Sequence, residues 1–173
     1  AYVRGKWHSE AECGSGLLLA KCCHDTDLMC WLNNEAEPYL VSSFGERAHF
    51  TEENAPEGAP ERCLDGCPAA DTCPFHAGKI YIEGSRHTRG WFDTAATQLL
   101  KPTEEDVRRA LATTNYGKCV FRCDNDVVDH QVVNLEYGSG STVSFTMSAF
   151  TQGGRKVRIM GTKGEINAEM SSD

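Results

Sequence analysis

The chain has 173 residues, 40% of them hydrophobic, with 17 basic side chains against 25 acidic ones and a formal net charge of −8. That length supports one domain with a real core, and acid spread along the chain without a basic block argues against nucleic acid and anionic membranes as partners. No apolar run reaches the length of a membrane span, and the opening AYVRGKWHSE lacks the apolar centre of a signal peptide. The nine cysteines are odd in number and several sit inside apolar stretches, so the expected compartment is the cytoplasm, with reduced thiols or a metal rather than a disulfide framework.

Taken in chain order, AYVRGKW reads as a strand already under way, and further sequence is expected to precede Ala1. LLLAKCCHDTDLMCWL, at 17–32, reads as a helix. Ser15 is the expected N-cap, and Asn33-Asn34 suits a left-handed C-cap. Helical spacing puts Leu17, Ala20, Lys21, His24, Asp27, Leu28 and Trp31 on one broad face, with Leu18, Cys22, Met29 and Leu32 opposite. A helix apolar nearly all round is expected to be buried on most sides. It also carries Lys21, His24, Asp25 and Asp27 within seven residues. A carboxylate beside an imidazole favours its protonated form and an ammonium opposes it, so His24 is a candidate for moving a proton near neutral pH. The alternative is that Lys21 and Asp27 neutralise each other at the surface.

A short strand at 39–44 ends at Gly45, and residues 51–71, rich in Pro, Gly and Glu, read as loop. Cys63, Cys67, Cys73 and His76 follow within fourteen residues. They could hold a tetrahedral zinc, pack as reduced thiols, or include one pair. The Cys-rich insertion is placed at about 51–78, before a strand at 79–83 (KIYIE). Thr103-Glu-Glu-Asp106 is a capping-box variant opening a helix with an apolar stripe of Val107, Ala110 and Leu111, stopped at Asn115-Tyr-Gly117. From Lys118 the pattern is strand: KCVFRC, VVDHQVVNLEY, STVSFTMSAF, RKVRIMG and GEINAEM, with a hairpin connection at 137–141. Val143, Phe145, Met147 and Ala149 alternate with Thr142, Ser144, Thr146 and Ser148. The expected fold class is α+β, a mostly antiparallel, open-faced sheet with helices on one face. Alternation sends Asp129 and Gln131 to one face and His130 to the other.

The run Lys21-Cys-Cys-His24-Asp25-Thr-Asp27-Leu28, with Trp31-Leu32 after it, resembles the helix of Gfo/Idh/MocA oxidoreductases that carries their catalytic His. His24 and Asp27 match the family's His and second Asp. The family's first Asp is replaced by Ala20, with Lys21 next to it. RGKW near the start, Cys73-Pro-Phe before the Lys-Ile-Tyr run and the Gly161-Thr-Lys-Gly164 turn extend the resemblance over nearly the whole chain. It implies the substrate-binding and oligomerising C-terminal domain of an NAD(P)-dependent dehydrogenase of a sugar, polyol or related hydroxy compound. The half that binds NAD or NADP would lie N-terminal to Ala1, since no GxGxxG follows a strand here. His24 would move the hydroxyl proton with Lys21 and Asp27 as partners, and the isolated chain would be inactive. Arg4, Trp7, Asp25 and His130 are candidate substrate contacts, and the open sheet face is the expected homo-oligomer surface. The rival reading is a non-enzymatic module that binds metal through Cys63, Cys67, Cys73 and His76.

Overall fold

The computed structural model describes residues 2–33, 36–84, 91–150 and 154–170. The first segment is not a strand. Two 3-10 turns, Tyr2–Arg4 and Lys6–His8, flank the extended Gly5. The cause is in the side chains: Val3, Arg4 and His8 are all buried, whereas an extended strand would turn neighbouring residues to opposite faces. His8 Nδ1 lies 2.6 Å from the Gly5 carbonyl oxygen, which closes the second turn.

Helix α1, Glu10–Cys13, is capped by Ser9 and ended by Gly14 at φ 74°. Helix α2 is Leu17–Leu32, as its periodicity predicts. Its N-cap is Gly16, without a side-chain cap, rather than Ser15. Its C-cap Asn33 has φ −112°, so it is not left-handed; its side-chain amide donates to the Met29 carbonyl at 2.9 Å. Asn34 lies outside the described residues. The expected burial of α2 fails: only Leu17 and Cys22 are buried, and Trp31 is 67% exposed. Apolar residues spread all round a helix form no stripe that one neighbour can cover. Here α2 packs against the Lys6–His8 turn and one strand.

Strands β1 (Pro38–Glu46), β2 (His130–Tyr137) and β3 (Thr142–Ser148) form an antiparallel sheet in the order β1-β2-β3. Val41 faces Leu135, and Val133 faces Phe145. Gly45 does not end β1, which continues to Glu46. β4 (Arg155–Gly161) and β5 (Gly164–Met170) pair as a separate two-stranded hairpin rather than extending the sheet. The fold is α+β, with antiparallel sheets and helices, as the pattern implied.

Two further expected strands are absent. Residues 118–123 form turns, and only Lys118 makes an isolated bridge, to Arg62. Cys119, Val120, Phe121 and Cys123 are all buried, which a turn allows and an alternating strand does not. They form one core cluster with Val3 and Phe50, against which Phe75 packs; the Phe50 and Phe75 rings meet edge to face at 5.2 Å. Residues 79–83 belong to a π-helical turn, Gly78–Glu83, in which the Gly84 amide donates to the Lys79 carbonyl. A five-residue apolar run cannot be told from a buried helical segment by periodicity. Tyr81 from this turn meets Phe92 and Tyr116 in the second core cluster, with Val107 and Leu111. Phe92 comes from helix α3, Trp91–Thr97.

Helix α4, Glu104–Thr113, opens with the expected capping box. Thr103 Oγ1 accepts from the Asp106 amide at 3.2 Å, and Asp106 Oδ2 accepts from the Thr103 amide at 2.9 Å. The Thr103 hydroxyl also donates to Asp106 Oδ2 at 2.7 Å, and this bond, with the one from the Thr103 amide, holds the Asp106 carboxyl below its usual range. Thr103→Ala is expected to lower stability by about 1 kcal/mol, the typical value of an N-cap; a urea unfolding midpoint unchanged from the parent's would contradict this. A 3-10 turn, Asn115–Gly117, follows and ends at Gly117, where a Cβ would lie 1.7 Å from the Leu111 carbonyl oxygen. No helix among the described residues is long and apolar enough to cross a membrane.

Candidate functional site

The exposed side of α2 carries the candidate chemistry. Lys21, His24 and Asp27 are exposed there at successive three-residue steps, while Cys22 is buried beneath them. Burial pushes the Cys22 thiol up, and the neighbouring Asp25 carboxylate adds to the shift, so it stays protonated. Asp25 Oδ1 lies 2.5 Å from Arg155 Nε, so this carboxylate is paired with the start of β4. The Lys21 ammonium sits over the Trp7 ring, 4.5 Å from its centroid. The polar knot is therefore divided. Lys21 goes to Trp7 and Asp25 to Arg155, and no Lys21–Asp27 ion pair forms. Among the described residues the side chains of His24 and Asp27 make no hydrogen bond or ion pair.

The other sequence candidates lie elsewhere. Arg4 is buried, and its guanidinium donates to the Lys118 carbonyl at 2.7 Å, the Phe75 carbonyl at 2.9 Å and Cys63 Sγ at 3.2 Å. It pins the turn at Lys118 to the Cys-rich segment and is buried from solvent. His130 is exposed on the open face of β2, while Val133 and Tyr137 are buried on the other. Tyr137 is close to Cys30 of α2, and Ser141 Oγ donates to Asn33 Oδ1 at 2.9 Å, so α2 covers the face opposite His130. His130 and His24 thus do not share a site within one chain. His130 Nδ1 is 2.8 Å from Asp129 Oδ1. Asp129 is fully buried, and its Oδ2 accepts from the His49 and Phe50 amides at 2.6 and 3.2 Å. Burial alone would raise this carboxyl; the bonds from His130, His49, Phe50 and Ala48 outweigh it and hold the group below its ordinary value.

The four candidate metal ligands do not gather. Among the described residues no three His, Cys, Asp or Glu side chains are placed to hold a metal ion. Cys63 belongs to one core cluster, while Cys67 and Cys73 pack against the other. His76 Nε2 is 2.9 Å from the Cys63 carbonyl oxygen. The Cys-rich segment is pinned by ordinary bonds: Cys63 N–H to the Gly117 carbonyl at 2.9 Å, and Cys119 N–H to the Glu61 carbonyl at 2.7 Å. All nine cysteines are free thiols.

The sequence reading missed Arg155 as the partner of Asp25, 130 residues away. It also missed His8, which is buried with Nε2 3.4 Å from Asp124 Oδ1.

A family model described as "Oxidoreductase family, C-terminal alpha/beta domain", that of Gfo/Idh/MocA proteins, matches residues 1–173. No curated protein and no solved structure matches the chain.

Proposed function

Since the chain belongs to the Gfo/Idh/MocA oxidoreductase family as its C-terminal α/β domain, we propose that it is the substrate-binding half of a cytoplasmic NAD(P)-dependent dehydrogenase of a sugar, polyol or related hydroxy compound. In this reading His24 moves the hydroxyl proton, and the nucleotide-binding half lies upstream of Ala1. One observation carries it: an exposed imidazole, uncommitted to any described residue, on the helix face that also presents Lys21 and Asp27. The described residues do not themselves suit a dinucleotide. Every strand pair is antiparallel, and no parallel strand–turn–helix unit is present among them to cradle a pyrophosphate. When bound to the other half, the nicotinamide would supply the hydride acceptor. This chain's part is to hold the hydroxyl against His24 and take its proton.

The test is the two-half protein, assayed with NAD and NADP against a panel of sugars and polyols while following nicotinamide absorbance. Turnover of at least one hydroxy compound is expected, with none from the 173-residue chain alone. Absence of turnover across the panel with a folded protein would overturn the reading.

The open sheet face is proposed as a homo-oligomer surface. Leu40 and Phe44 of β1 are exposed, Phe44 at 70%, beside the exposed hydroxyls of Thr142, Ser144 and Thr146. Register places Phe44 beside Val132, and Val132 beside Thr146, on that face. Sedimentation is expected to give a species of at least two copies. A Phe44→Glu substitution, placing a charge at the seam, should shift it toward the monomer. A monomer at high micromolar concentration contradicts the surface assignment and leaves the family untouched.

A further inference from the structure

We propose that Lys21, held over Trp7, receives an anionic group of the substrate, so that the hydroxy compound handled at His24 is an acid, such as a sugar acid or a sugar phosphate. This rests on the reading of His24 as the proton-transfer residue and adds the class of substrate.

The argument begins with how Lys21 is held. Its ammonium lies 4.5 Å from the Trp7 ring centroid, and it makes no hydrogen bond or ion pair among the described residues. A π face attracts a cation and fixes its position without cancelling its charge or taking an acceptor's place. The three N–H donors of Lys21 stay available. Nearby carboxylates do not compensate it. Asp25 is paired with Arg155. Asp27 is six residues on, about 9 Å along the helix axis, with His24 between. One turn before His24, where a carboxylate would repel an anion, stands Ala20. Lys21 is an exposed cation without a carboxylate partner, in a chain of net charge −8, and it sits one turn from His24. Side chains three apart on a helix have Cβ atoms about 5–6 Å apart, so one small molecule can reach both. Trp7 is 39% exposed, yet Lys21 covers its ring, so a neutral sugar could not stack on that side without displacing the ammonium.

The experiment uses the 173-residue chain with Trp31→Phe and Trp91→Phe, so that Trp7 alone reports through fluorescence. Probes are gluconate, glucose 6-phosphate, glucose, sorbitol, acetate and inorganic phosphate. At least one of the two acidic sugars is expected to change the signal saturably, and the response of gluconate against glucose 6-phosphate separates a carboxylate from a phosphate. Glucose and sorbitol should leave the signal unchanged. Lys21→Met should weaken acid binding about tenfold or more, as for losing a hydrogen bond to a charged group, while Lys21→Arg should retain it. Equal binding of acetate or phosphate means an adventitious ion only and overturns the proposal. So does equal binding of glucose, no binding of either acid, or indifference to Lys21→Met. The two readings fail separately. If neutral polyols are turned over in a His24-dependent way by the Lys21→Met two-half protein, the anion site falls and the dehydrogenase stands. If acids bind through Lys21 but nothing is turned over, the reverse holds.

Discussion

His24→Ala in the two-half protein is expected to lower turnover by about 10²–10⁴-fold, the usual contribution of a positioned general acid or base, with a much smaller change in substrate binding. The structure makes this a clean test. His24 is exposed and bonds to no described residue, so its removal should change stability by no more than about 0.5 kcal/mol. A large loss of turnover in a protein with an unchanged unfolding midpoint therefore reports chemistry and not folding. Asp27→Asn should act in the same direction more weakly, because Asp27 lies one turn from His24 and makes no hydrogen bond or ion pair with it. Lys21→Met should act mainly on the KM of acidic substrates, if the ammonium binds the substrate's anion rather than taking part in proton transfer. Turnover of the His24→Ala protein within a factor of about three of the parent, under 1 kcal/mol of barrier, would remove His24 from the mechanism.

What the sequence could show follows from the range of each interaction. Helix α2 and the capping box of α4 depend on residues three and four apart, and both were legible. The alternation of β3 was legible too, as was the opposite placement of His130 and Gln131. The segments 2–8, 79–83 and 118–123 were not. Each is a short segment whose conformation is fixed by where its side chains are buried: Arg4 on the Lys118 and Phe75 carbonyls, Tyr81 between Phe92 and Tyr116, Phe121 against Phe50. The face bearing Lys21, His24 and Asp27 could be drawn from helical periodicity alone. Its burial could not, because a helix with apolar residues on every side gives no direction to pack. The partners that divide its charges, Trp7 and Arg155, come from a 3-10 turn and a distant hairpin, and no local spacing signals either contact.

Asp129→Asn is expected to destabilise the fold by about 2–4 kcal/mol, within the range for breaking a buried charged hydrogen-bond network. The carboxylate is fully buried and ties two segments together: β2 through His130, and the stretch leading into the Cys-rich region through the His49 and Phe50 amides. An amide in its place keeps one acceptor oxygen but turns an NH2 toward a donor, leaving a buried N–H unpaired. The effect spreads, because the His49 ring packs edge to face with Phe50, Phe75, Phe121 and Phe150 at 5.1–5.8 Å. The same bonds set a pH dependence. They hold the folded carboxyl below its ordinary value even though burial opposes them, whereas the unfolded group titrates near 3.9. A depressed folded pKa means that the contribution is fully present above the unfolded value and is lost as pH falls through the folded one. Tyr2, His49 and His130 are titratable residues beside this carboxylate, and Tyr2 is raised by burial and by Asp129, so it stays neutral throughout. Urea midpoints at pH 7 and pH 3 should therefore differ less in Asp129→Asn than in the parent, with the variant already weakened at pH 7. An equal loss on acidification in both proteins would show that other carboxylates set the acid limit and that Asp129 is held only by packing.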